Sequence, residues 1–203
     1  MKALVFFLLI VVGVSASGTD VLKKVEEKYK GIETLSMDFS QKITYSSTGQ
    51  KTTFDGRILL ARPNRMRMSV TEPDTQLLVS SGDSLWIYLK SANQVFLYDL
   101  KEESFPQVGT LIFGMSKEFM SQLLAKTRDS YVLKLKPLEE SKYYDSLHVR
   151  VSRKSLLIGG LTIFDRQANR IEYTFTKTKT NPEIGESQFR FEPPPGVDVI
   201  KHR

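Results

Sequence analysis

The 203-residue chain has no cysteine, two histidines and one tryptophan. Without cysteine there is no disulfide, no thiolate nucleophile and no zinc–thiolate site, so the core must hold by packing alone. Of the histidines, His148 alternates with Leu147 and Val149, and His202 lies in the last three residues. There is no G-x-S-x-G and no H-E-x-x-H, and nothing in the pattern places two carboxylates for a glycosidase. An exported hydrolase is therefore the weaker reading, and no catalytic residue, metal or cofactor is expected. Long hydrophobic runs are also scarce. The run from Ala3 to Val14 spans only roughly 18 Å as a helix, against a hydrocarbon core of about 30 Å. Lys2 precedes it, and Val14-Ser15-Ala16 puts branched or small residues at the −3 and −1 positions of a signal-peptidase site. Residues 1–16 read as a signal peptide, a short buried helix being the competing reading. No cysteine follows Ala16, so residues 17–203 are expected to be exported, unacylated and soluble, as one domain.

The formal charge is +6. An excess of cations can serve nucleic acid, an anionic lipid surface or an acidic partner. Export argues against nucleic acid, and the scattered lysines and arginines fit a solvated surface. Val21, Leu22, Val25 and Tyr29 form one stripe at helical spacing, opposite Lys23, Lys24, Glu26, Glu27 and Lys28. Asp20 is expected to cap this helix, and Gly31 to end it in a left-handed conformation. The period then changes to two. Leu35, Met37 and Phe39 alternate with Ser36, Asp38 and Ser40, and similar short runs follow at 54–60, 66–70, 76–79, 85–89 and 94–98. Turn residues such as Arg62-Pro63-Asn64 and Ser81-Gly82-Asp83 separate them. From Phe105 to about Leu124 the chain reads as one or two helices. Val108, Leu111, Ile112 and Met115 form one stripe; Phe119, Met120, Leu123 and Leu124 form another, with Ser116 as its candidate cap. Strands resume at 131–136, 147–152, 156–165, 170–177 and 188–191. The expected fold is mainly β: an antiparallel sheet of about eleven strands, which must curl, covered by about three helices.

Several segments together resemble the LolA family of outer-membrane lipoprotein carriers. They are Phe39-Ser40-Gln41; Arg62-Pro63-Asn64-Arg65-Met66-Arg67-Met68; Glu72-Pro73; Leu78 to Tyr88; Asp165 to Arg170; Asn181-Pro182-Glu183-Ile184; and Phe189-Arg190-Phe191-Glu192-Pro193-Pro194-Pro195-Gly196-Val197-Asp198-Val199-Ile200. They occur in family order along almost the whole chain after residue 16. Met66 and Met68 stand where the family has Phe and Trp, and Ser81 where it has the Asp of a D-G turn. The flexible thioethers still suit an apolar lining.

The resemblance implies an incomplete β-barrel with a helical lid, monomeric, in the periplasm. Its cargo would be acylated lipoproteins, received from an inner-membrane LolCDE-like ABC exporter. Delivery would be to a LolB-like outer-membrane acceptor or to the outer membrane directly. A ~16-carbon acyl chain left in water costs on the order of 12 kcal/mol, so such cargo needs an apolar shelter. The resemblance makes Arg62 a lid latch bonded to helix backbone; by sequence alone it is a solvated turn arginine. It makes Phe54, Ile58, Leu60, Met66, Met68, Leu22, Val25, Leu111, Ile112, Phe113, Phe119 and Leu123 candidates for acyl-chain binding, ordinary core packing being the other reading. Trp86 and Tyr88 are expected to pack structurally. Arg57, Arg65 and Arg67, with Lys51, are expected on a solvated sheet face rather than a docking patch. The rival from another class is a half-barrel that binds a different lipid or glycolipid, or senses lipoproteins.

Overall fold

A computed structural model describes residues 17–101, 112–113 and 118–202. The chain starts with helix α1 (Gly18–Lys30). The strands are β1 (Thr34–Thr44), β2 (Lys51–Ala61), β3 (Arg65–Glu72), β4 (Gln76–Ser81), β5 (Ser84–Leu89), β6 (Gln94–Asp99), β7 (Phe119–Lys126), β8 (Ser130–Pro137), β9 (Tyr144–Ser152), β10 (Ile158–Asp165), β11 (Arg170–Thr180) and β12 (Asp198–His202). They form one 12-stranded sheet in the order β12-β6-β5-β4-β3-β2-β1-β11-β10-β9-β8-β7. Every pairing is antiparallel except β12 on β6, where Asp198–His202 runs parallel to Gln94–Tyr98.

Period two decides which face is buried. Leu35, Met37 and Phe39 on β1 stand opposite Leu60, Ile58 and Gly56 on β2. The row continues to Met66, Met68 and Val70 on β3. On the other side of β1, Tyr173 and Phe175 lead to Leu161 on β10 and Val149 on β9. These residues share one buried cluster with Val21, Leu22, Val25 and Tyr29 of α1. A 13-residue helix is about 20 Å long. Its first residue, Gly18, lies against the backbone of Gln122 and Leu123 in the edge strand β7. Its last turn reaches Arg62, in the turn between β2 and β3. One short helix can touch both only because the sheet bends round it.

The opposite face has its own small core. Val79 and Val95 are buried there. Trp86 and Tyr88 pack on Phe191, with ring centroids 5.7 and 6.0 Å apart. The carboxyl-terminal segment is thereby fastened to the outside of the sheet. Arg65 lies over the Phe189 ring, 5.3 Å from its centroid, and Arg67 donates to the Gln188 carbonyl. Arg57 and Lys177 both pair with Asp38, and these bonds hold its carboxyl below the usual carboxylate range. A groove of about 740 Å³ on this face is lined mainly by hydroxyl and charged side chains, among them Asp38, Arg57, Ser69 and Thr176.

Five sequence expectations need correction. Phe119, Met120, Leu123 and Leu124 are not a helical stripe but belong to strand β7. Met120 and Leu124 are 57% and 44% exposed, whereas a stripe would have buried them with Phe119. Pairing with β8 overrides a run of good helix formers. The 188–191 segment is not a strand; a 3-10 helix covers Glu186–Phe189. The twelfth strand is Asp198–His202 instead, and α1 is the one complete α-helix among the described residues, where about three helices were expected. The cap of α1 is Ser17, with Asp20 at the third position completing a capping box. Gly31 has φ −87°, so α1 does not end in a left-handed residue. The segment holding Val108, Leu111, Met115 and Ser116 lies outside the described residues; Ile112 and Phe113 are helical.

Candidate functional site

The described candidate residues lie on the inner face of the sheet. Ile58 and Leu60 are fully buried at its centre, and Met66 and Met68 extend it across β3. Leu22 and Val25 of α1 are pressed on the same cluster, with Ile112 and Phe119. Phe54, Phe113 and Leu123 are partly buried against its margin. Leu111 lies outside the described residues. The fold thus brings the described candidates together on one apolar surface. Ser80, set between Met66 and Leu85 by register, is the buried polar residue there.

Arg62 lies where α1 ends. Its Nε donates to the Ile32 carbonyl at 3.1 Å and its Nη2 to the Tyr29 carbonyl at 3.2 Å. The guanidinium also sits over the Phe113 ring, 4.5 Å from the centroid. The last carbonyls of a helix lack intrahelical partners and carry partial negative charge, so a cation there is doubly favoured. The planar guanidinium reaches two carbonyls and an aromatic face at once, which an ammonium group does not. One side chain therefore ties three segments: α1, the linker to β1, and the helical segment with Phe113.

Tyr29 completes this junction. Its ring meets Phe113 edge-on at 6.4 Å, and its hydroxyl accepts the Ile158 N–H at 3.0 Å. Burial pushes its pKa up to about 12. Because that exceeds the ordinary value of 10.0, the neutral phenol is favoured by folding. The contribution is present in full below pH 10 and lost as pH rises towards about 12. We expect Tyr29→Phe to cost about 1–2 kcal/mol at neutral pH, because a buried N–H loses its acceptor. We also expect a flatter fall of stability between pH 10 and 12. Urea unfolding at both ends of that range checks it; identical pH profiles for variant and wild type would refute the assignment.

Two positions that sequence reasoning left without a role hold the site together. Asn181, at φ 53°, accepts the Glu33 N–H at 2.8 Å and donates to the Gly31 carbonyl at 2.9 Å. It pins the α1–β1 linker beside Arg62, and its place in the Asn-Pro motif was the available signal. Gly18 has no side chain because one would meet Leu123 backbone nitrogen at 2.6 Å. His148 stays on the outer face, edge-on to Phe164 at 4.7 Å. Among the described residues no group of acidic, histidine or cysteine side chains is placed to hold a metal ion.

Comparison with known proteins agrees with this architecture. The outer-membrane lipoprotein carrier protein of Coxiella burnetii is 24% identical over 202 residues, covering 96% of this chain and 93% of that protein. The corresponding protein of Chromobacterium violaceum is 27% identical over 173 residues, 84% of this chain and 82% of that one. The structure of an uncharacterized conserved protein from Thermus thermophilus superposes with a TM-score of 0.58 at 13% identity, over 90% of this chain and 98% of that one, which shows the fold alone. Residues 30–192 match the family model "Outer membrane lipoprotein carrier protein LolA", and the chain belongs to that family.

Proposed function

We infer that this chain is a periplasmic carrier that shelters the acyl chains of lipoproteins on its concave face and moves lipoproteins from the inner to the outer membrane. One observation supports it most: a continuous apolar sheet face is covered by a helix, and Arg62 bonds the end of that helix, the linker after it and the Phe113 ring. Exposed, a face of that size would invite aggregation, so an empty carrier needs a cover. Arg62 is the latch. Its bonds contribute a few kcal/mol, small beside the on-the-order-of 12 kcal/mol released by burying one ~16-carbon chain. Cargo therefore opens the cover, and an empty carrier closes it. Phe54, Ile58, Leu60, Met66 and Met68 form the floor for the chains, with Leu22, Val25, Ile112, Phe113, Phe119 and Leu123 contacting them from the cover and the β7 side.

Residues 1–16 direct export and are removed. No described helix is long and apolar enough to cross a membrane. The role is transport without covalent chemistry. An inner-membrane LolCDE-like exporter supplies the cargo, and a LolB-like acceptor or the outer membrane itself takes it.

The test is release of a labelled lipoprotein from energised inner-membrane vesicles, with and without the purified protein. Release as a soluble one-to-one complex is expected. Lipoprotein that stays in the vesicles in both cases overturns the reading. Native mass spectrometry of protein taken from the envelope separates the rival: a small lipid in place of acylated polypeptide would point to a different cargo.

A further inference from the structure

The concave face has a polar pair where its greasy floor ends. Gln41 of the Phe39-Ser40-Gln41 motif points to the inner face. It stands opposite Tyr173 on β11 and Phe54 on β2. Gln41 Nε2 donates to Tyr173 Oη at 2.8 Å. The surroundings are aromatic: the Phe39 ring lies 6.2 Å from Tyr173, and the Phe175 ring stacks on it at 5.9 Å. Tyr173 is only 9% exposed. Burial raises its pKa well above the usual phenol range, so the hydroxyl keeps its proton.

The hydrogen inventory does not close. A primary amide carries two polar hydrogens and a phenol carries one. One bond between them leaves two over, whichever way the amide is turned. No further hydrogen bond of either side chain is found among the described residues. A donor so poorly exposed is costly to leave without an acceptor.

Position says which acceptor fits. Along β1 the inward residues are buried as far as Phe39, and exposure begins at Gln41. Arg62 lies beyond the other end of this face, roughly 20–25 Å away along β2. A chain lying on Met37, Ile58 and Met68 would end its hydrocarbon near Gln41. There an acyl group has its carbonyl oxygen, an acceptor without a donor. We propose that the Gln41–Tyr173 pair anchors the ester or amide carbonyl of a bound fatty acyl group, with Tyr173 Oη donating the hydrogen bond. The pair sets the depth of the chain and distinguishes acyl cargo from plain hydrocarbon. This rests on the carrier reading above.

The test uses the purified protein and two probes of similar chain length, methyl palmitate and the hydrocarbon n-heptadecane, measured by displacement of a fluorescent apolar dye. Wild type should favour the ester over the hydrocarbon by up to about tenfold more than Tyr173→Phe does, the scale of one neutral hydrogen bond. Tyr173→Phe should lose that preference, because only the ester has a carbonyl that the missing hydroxyl could reach. A second readout needs no variant. The carbonyl stretch of methyl palmitate labelled with carbon-13 at C1 should fall below its position in hexane when bound to wild type, and return to it in Tyr173→Phe. A bound stretch at the hexane position, or an equal ester preference in both proteins, overturns the proposal. Binding of both probes without discrimination sinks this proposal alone; failure of both probes to bind wild type sinks the carrier reading with it.

Discussion

Arg62→Leu is expected to bind acylated cargo and then fail to give it up. The substitution removes both hydrogen bonds to the Tyr29 and Ile32 carbonyls and the contact over Phe113. Hydrogen bonds from a charged donor contribute about 1.5–3 kcal/mol each, so a loss of roughly 3 kcal/mol from the closed empty state is a fair scale. On the proposed latch role, the loaded state has its cover moved and does not use these contacts. The balance between empty and loaded carrier therefore shifts towards loaded by about a hundredfold. Transfer of labelled lipoprotein from purified carrier to acceptor membranes should slow by a comparable factor. The empty variant should also bind an apolar dye more strongly and exchange the amide protons of α1 faster. Arg62→Lys keeps the charge but not the fork, so it should fall between the two. Transfer at the wild-type rate in Arg62→Leu would remove the latch from the account.

Gly56→Ala should produce the largest loss of stability from the smallest chemical change. Gly56 lies at an irregularity in the β2–β3 register, between Asp55 and Gly56. A Cβ there would collide with the Ser69 carbonyl oxygen and stand 2.9 Å from Phe39 Cε1. The second contact can be relieved by turning a ring; the first is backbone and needs the strands to part. Overpacking of this kind costs about 3 kcal/mol. For a domain of this size that lowers Tm by roughly 6–12 °C. Thermal unfolding followed by circular dichroism measures it, and a midpoint within about 2 °C of wild type would show that the ladder yields more easily than the geometry implies. Because Phe39 packs beside Tyr173, the same variant should also weaken acyl-probe binding.

Most of the sheet was legible because strands with one buried face announce themselves by period two. Ile58 and Leu60 alternate with Arg57 and Leu59, and Met66 and Met68 with Arg65 and Arg67, and each pair keeps to one face of the sheet. The stripe of α1 was equally plain. Local pattern failed where the partner was distant. Phe119–Lys126 contains residues equally at home in a helix, and only β8 makes it a strand. Asp198–His202 is too short to show alternation and owes its conformation to β6, about a hundred residues earlier. The 3-10 helix at Glu186–Phe189 replaced an expected strand because its job is to drop Phe189 onto the outer core, where it is 2% exposed.

The sequence by itself determined the class of the molecule: free of thiol chemistry, mainly β, one amphipathic helix ahead of a long meander, and a set of motifs shared with lipoprotein carriers. Tertiary structure alone decided which face of each strand turns inward and which carbonyls Arg62 reaches. It alone set Gln41 against Tyr173, which are 132 residues apart in the chain. The reason is range. Side-chain periodicity is a property of neighbours in sequence and survives being read one segment at a time. Contacts across a curled sheet depend on register and bend, which arise only when all the segments pair together.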